Sequence, residues 1–175
     1  LILATSGLYG GGVVFNDVFD APLDAEERPG RPIPSGRVSR MAAGVWGGML
    51  LCVGVVAAGL VSLTAAGIAL GVAVCALVYD AYGKHQLLLG PVNMGICRGG
   101  NLLLGAAILP GVIPEIWFIA LLPIAYISAI TAISRGEVHG GSARTGVLAI
   151  GLILTVIAGL LALALLDRYA FWSAA

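Results

Sequence analysis

The sequence predicts an all-α protein, a polytopic bundle of transmembrane helices, and three observations carry the prediction. Hydrophobic residues make up 59% of the 175 and charged residues 10%, where a soluble domain has about 25% charged. Mean hydropathy is +1.03, so there is too little polar surface to face water. Apolar runs also recur near the length of about 20 helical residues needed to cross the hydrocarbon layer.

The spans read, in order, as 1–15, 41–60, 62–79, 92–110, 115–133 and 146–166. The first opens at Leu1 with neither a Met nor a charged leader, so it resembles neither a signal peptide nor a natural start. The expectation is one transmembrane domain over 1–175 that is incomplete at both ends. The 26 glycines suit a bundle in lipid, where small residues let backbones approach. Gly10-Gly11-Gly12 lacks the Lys-Ser/Thr of a phosphate loop and reads as packing. Cys52, Cys75 and Cys97 fall inside spans at unrelated spacings, which points to neither zinc nor disulfides. Nucleic acid is not an expected partner.

If the six helices alternate in direction, the connections 16–40, 80–91 and 134–145 share one membrane face. They hold Arg28, Arg31, Arg37, Arg40, Lys84, Arg135 and Arg144, seven of the nine Lys and Arg. The positive-inside rule makes that face cytoplasmic, and the expected location is a bacterial inner membrane. Asp17, Asp20, Asp24, Glu26, Glu27, Asp80 and Glu137 crowd onto the same face. Topology does not require that, because the rule hardly counts acids. Their concentration is the first sign of a site.

Within "NDVFDAPLD", Asn16, Asp17 and Asp20 share about a 100° arc of one helix face. Asp24 would join them in an unbroken helix, but Pro22 predicts a bend first. Clustered carboxylates repel one another at a membrane edge. A hard cation removes that penalty: Mg²⁺ prefers oxygen ligands and shares its octahedron with waters and substrate phosphates. The nearby arginines suit bidentate contact with phosphate. The plainer alternative is a solvated loop whose Asp and Arg residues pair internally.

"NDVFDAPLD" followed by "RPGRPIPSG" resembles the first aspartate-rich motif of the UbiA superfamily of intramembrane prenyltransferases, through Asn16, Asp17, Asp20, Asp24, Arg28, Arg31, Pro32 and Gly36. "YDAYGKHQLLLGPVN" is similar to a later family stretch, at Tyr79, Lys84 and Gly90. "CRGGNLLLG" narrows the likeness to the EboC-like branch. The resemblance implies a bundle of about nine helices, six of them in this chain. It also implies a prenyl diphosphate bound through Mg²⁺ in a central cavity and transferred to an aromatic or lipid-like acceptor. Asn16, Asp17, Asp20 and Asp24 would then hold metal, with Asp17, Asp20 and Asp24 catalytic. Arg28, Arg31 and Lys84 would hold diphosphate.

The family's second motif, usually written DxEGDxxxG, is expected over "ISRGEVHGG", 133–141. There Ile133 stands for an Asp and Arg135 for a Glu, and only Glu137 is left as a metal ligand. Two expectations follow. In one, Arg135, His139 and Arg144 are fixed charges that grip diphosphate in place of a second metal. Alternatively, the protein is a non-catalytic membrane protein that binds or helps export a lipid-like metabolite. Arg98 lies inside a span, where a cation is costly and faces the interior. With Asn93 and Asn101 it reads either as a polar clamp between helices or as pocket lining, and Tyr79 is placed in the same pocket. Asp80 reads as an i,i+4 partner of Lys84.

Overall fold

Six long helices run through the computed structural model, which describes residues 1–138 and 143–165. They are α1 (Ile2–Glu27), α2 (Arg40–Gly59), α3 (Leu63–Ala81), α4 (Leu89–Ala106), α6 (Leu121–Val138) and α7 (Ala143–Leu165). A single turn, α5 (Ile113–Ile116), sits between two 3₁₀ turns, Pro110–Val112 and Trp117–Ala120. There are no strands among the described residues. The all-α membrane bundle read from the sequence is the fold observed. Among the described residues, three stretches are long and apolar enough to cross a membrane: Arg40–Gly59, Leu63–Ala81 and Pro110–Ser134. A shorter apolar stretch, Ile150–Leu163, lies in α7.

The expected bend at Pro22 is corrected. α1 continues through the proline to Glu27, so the first helix outruns the expected span 1–15 by twelve residues. Proline has no N–H, which leaves the carbonyl four residues earlier without its helical donor. That carbonyl belongs to Val18, and Arg40 Nε donates to it at 2.9 Å. The guanidinium replaces the missing donor, and the helix need not break. The fifth span, expected at 115–133, lies within the apolar stretch Pro110–Ser134. Its first residues, 115–120, belong to short turns before α6 begins at Leu121, and Pro110 and Pro114 each remove a main-chain donor just ahead of it.

Consecutive helices pack side by side from α1 to α4, then α4 on α6 and α6 on α7; α1 also reaches α3. The core is built mostly from small residues: Ala4, Ala58, Ala65, Ala69, Ala73 and Ala107, with Leu8, Leu51 and Leu104. Large apolar side chains such as Ile2, Met41, Trp46 and Leu63 point outward. This suits a lipid solvent, in which backbones meet through small residues while bulky side chains face the tails. Gly7 shows how close the contact is: a Cβ there would lie 2.7 Å from the Leu50 carbonyl oxygen. At Gly95 a Cβ would lie 2.5 Å from the Ile124 carbonyl oxygen, which seats α4 on α6.

Polar side chains supply the remaining links. Ser39 and Ser62 cap α2 and α3 by accepting from the N–H groups of Ala42 and Ala65. Ser128 Oγ donates to the Pro91 carbonyl at 3.1 Å, between α6 and α4.

Candidate functional site

The unbroken α1 sets the site. Asp17, Asp20 and Asp24 stand at i, i+3 and i+7, which is one helix face. Asp24 is 3% exposed, so its charge needs a partner close by. The chain after α1 turns back to supply one. Main-chain bonds from Arg31 to Arg28, Ser35 to Arg31 and Val38 to Pro32 fold 28–39 over the helix end. Gly36 takes φ +74°, a left-handed value suited to glycine. Arg37 fastens the loop by donating to the Gly30 carbonyl and the Ser35 hydroxyl. Arg31 Nη1 is thereby delivered between two carboxylates, 2.8 Å from Asp17 Oδ1 and 2.9 Å from Asp24 Oδ2.

Asp20 is met from the other side. Lys84, on the 3₁₀ turn Gly83–His85, places Nζ 2.5 Å from Asp20 Oδ1. The expected Asp80–Lys84 pair within one helix is therefore corrected. The helix ends before Lys84, and the ammonium reaches across to α1. Asp80 instead accepts from Asn16 Nδ2 at 3.0 Å and is only 4% exposed. Sequence reasoning passed over Asp80 as helix support. Its signal was a lone acid at the end of an apolar span.

Below this charged end lies a cleft of about 450 Å³ between α1, α3 and α4. Asn16, Tyr79 and Asp80 line it next to the charged end, and Tyr9, Arg98 and Asn101 line it farther along α1 and α4, with Tyr9 and Arg98 exposed. Arg98 lies 5.6 Å from the centre of the Tyr9 ring. Thr5 Oγ1 donates to Asn101 Oδ1 at 3.0 Å.

Of the residues singled out in the sequence, Asn16, Asp17, Asp20, Asp24, Arg31 and Lys84 gather at one end of the bundle. Tyr79, Arg98 and Asn101 reach the cleft. Asn93 does not line it. With its amide turned to suit its neighbours, Asn93 donates to the Cys75 carbonyl at 3.1 Å and accepts from the Tyr79 N–H at 3.2 Å, so it clamps α4 to α3. Arg28 is exposed and makes no ion pair among the described residues. His139 and the side chains of Arg135, Glu137 and Arg144 lie outside the described residues.

The donor chemistry at the charged end fits a hard cation, since Asn16, Asp17, Asp20 and Asp24 offer only oxygen ligands on that face. Their present arrangement serves other partners. Arg31 and Lys84 engage the three α1 aspartates, and among the described residues no three His, Cys, Asp or Glu form a group that would hold a metal ion.

The chain is similar over parts of its length to proteins named digeranylgeranylglyceryl phosphate synthase. It is 38% identical to that of Methanothrix thermoacetophila over 96 residues, covering 55% of this chain and 36% of the relative. For Methanopyrus kandleri the figures are 37% over 111 residues, 63% and 41%. For Methanoculleus marisnigri they are 31% over 152 residues, 84% and 54%. The chain thus spans about a third to a half of the length of these relatives. No solved structure matches it, and the EboC-like branch rests on "CRGGNLLLG" alone. The model of the UbiA prenyltransferase family matches residues 1–175. With the aspartate-rich helix end standing over an intramembrane cleft, the chain belongs to the UbiA prenyltransferase family.

Proposed function

We propose that the protein transfers a prenyl group from a prenyl diphosphate to a lipid-like acceptor, with Mg²⁺ held by Asp17, Asp20, Asp24 and Asn16. The observation that carries this reading is that the three-aspartate face, with Arg31 and Lys84, adjoins Asn16 and Asp80, which line a cleft whose walls are largely apolar. The named relatives support the lipid-like acceptor, since their name describes a lipid phosphate.

In this reading the ion pairs exchange partners. Arg31 and Lys84 turn from the aspartates to diphosphate oxygens, where their contacts are charge-assisted. Bound Mg²⁺ supplies charge neutralisation at the departing diphosphate. The allylic C–O bond breaks with its electron pair on the diphosphate, and the acceptor attacks the carbon and gives up a proton. Asp80, the acid lining the cleft, is the group placed to take that proton. The cleft holds the prenyl chain away from water, which limits hydrolysis. The charged end faces the cytoplasm, following the distribution of Lys and Arg.

The second reading, a non-catalytic protein that binds or helps export a lipid-like metabolite, draws on the same ion pairs. Each α1 aspartate is already neutralised by a cation. Arg135, where active relatives are expected to carry an acid, favours it as well.

The test uses the intact protein in detergent with Mg²⁺, labelled prenyl diphosphates of several lengths and a membrane lipid extract. Transfer of label to lipid, abolished by a chelator, is the expected result. Binding of the diphosphate without release of its phosphates would favour the second reading.

A further inference from the structure

The face offered to a metal is already occupied by the chain's own cations. Arg31 Nη1 lies 2.8 Å from Asp17 Oδ1 and 2.9 Å from Asp24 Oδ2, and Lys84 Nζ lies 2.5 Å from Asp20 Oδ1. Neither cation makes a loose surface pair. The Asp24 side chain is 5% exposed and that of Lys84 11%, so salt and water screen these contacts poorly. The loop after α1 is braced to deliver one of them. Arg37 bonds within the loop, to Gly30 and Ser35, and Arg40 bonds to the Val18 carbonyl. Arg28 is exposed and pairs with no acid among the described residues. Of the four arginines from 28 to 40, Arg31 alone ties the loop to the carboxylates. Open space surrounds Gly30 and Gly36, where an added Cβ would meet nothing within 4 Å, so the loop has room to shift when Arg31 lets go.

We propose that Arg31 and Lys84 form an autoinhibitory lock on the aspartate face, which takes a divalent cation only together with a diphosphate that draws the two away. This rests on the prenyl-transfer reading and adds the regulation of that same site. A divalent cation arriving alone must displace both side chains, which then face it at close range with no anion to receive them. A diphosphate changes the balance. Its oxygens accept the guanidinium and the ammonium, and charge-assisted contacts replace those given up. The lock also keeps buried Asp24 from standing unpaired, which would be costly. By linkage the effect is reciprocal: diphosphate strengthens metal binding by the same factor as metal strengthens diphosphate binding.

The test measures Mn²⁺ binding to the intact protein in detergent by electron paramagnetic resonance. Mn²⁺ stands in for Mg²⁺ as another divalent ion suited to carboxylate oxygens. It is titrated alone and with a saturating, non-reactive prenyl thiolodiphosphate, against a blank of thiolodiphosphate in detergent without protein. The wild type should bind Mn²⁺ about tenfold or more tightly with the thiolodiphosphate, within the 5–150-fold usual for two coupled sites. Arg31→Gln should bind Mn²⁺ alone about tenfold more tightly than the wild type, the size of one contact to a charged group. Its further gain on adding the thiolodiphosphate should shrink. Lys84→Gln should act in the same direction through Asp20, and it serves as the second variant if Arg31→Gln folds poorly. The proposal is overturned if the wild type binds Mn²⁺ alone as tightly as with the thiolodiphosphate. It is overturned equally if neither variant binds the metal alone more tightly than the wild type. A protein that shows the lock but transfers no prenyl group keeps the lock and removes the transferase reading. Transfer without the lock overturns this inference and leaves that reading standing.

Discussion

The charged end of the bundle and the stretch of the cleft around Arg98 treat charge in opposite ways. At the charged end, Asp17, Asp20 and Asp24 each meet a cation within 2.9 Å, and Asp80 meets an amide. Farther along the cleft, Arg98 meets an aromatic face and, among the described residues, no acid. The difference separates two situations of a charged residue in a bundle. A carboxylate with a nearby cation contributes to folding even before a ligand arrives. An exposed cation without an acid beside it adds little to folding.

Three substitutions test that contrast, the first with the largest effect. Arg31→Ala removes the shared partner of Asp17 and of nearly fully buried Asp24. Breaking a buried pair costs about 3–5 kcal/mol. The lower figure is expected here because Arg31 is itself 34% exposed. Arg98→Gln should cost no more than the cation–π contact, about 0.5–1 kcal/mol. Thermal or denaturant unfolding in detergent compares the two, and equal losses would erase the distinction between the charged end and the stretch around Arg98.

Asp20→Ala is expected to weaken binding of a prenyl thiolodiphosphate about tenfold, the lower end for contacts to charged groups. It should also flatten the dependence of that binding on Mg²⁺. An unchanged Mg²⁺ response in a titration would mark the three aspartates as structural partners of Arg31 and Lys84 only.

The smallest effect is expected at Thr5→Val, which deletes the hydrogen bond to Asn101 and keeps the shape. Polar contacts between membrane helices average about 0.6 kcal/mol, so unfolding should shift only slightly. A loss as large as that of Arg31→Ala would place this contact among those that hold the fold.

The spans were legible because hydropathy sums over many residues, and a misjudged end moves such a sum little. The aspartate face was legible because i, i+3 and i+7 spacing is local. The continuation of α1 through Pro22 was not, since the donor that serves the carbonyl left by the proline comes from Arg40, twenty-two residues from it. The partner of Lys84 was missed for a similar reason. Asp80 is four positions away and Asp20 is sixty-four, and only the packing of α3 on α1 decides between them. The short turns in 110–120 were not legible, because hydropathy registers that a segment is apolar but not that two prolines interrupt its ladder. Asn93 read as a pocket residue because its spacing to Arg98 and Asn101 fixes a helix face only broadly.

Arg40's contact with Val18 has a mechanical consequence. The residue that opens α2 is bonded to the main chain of α1 at Val18, between Asp17 and Asp20 in sequence. A displacement of the start of α2 is then carried to the aspartates through a backbone carbonyl and not only through the intervening loop. An absent donor at Pro22 thereby couples the two helices, and the aspartate positions inherit the stiffness of a two-helix unit.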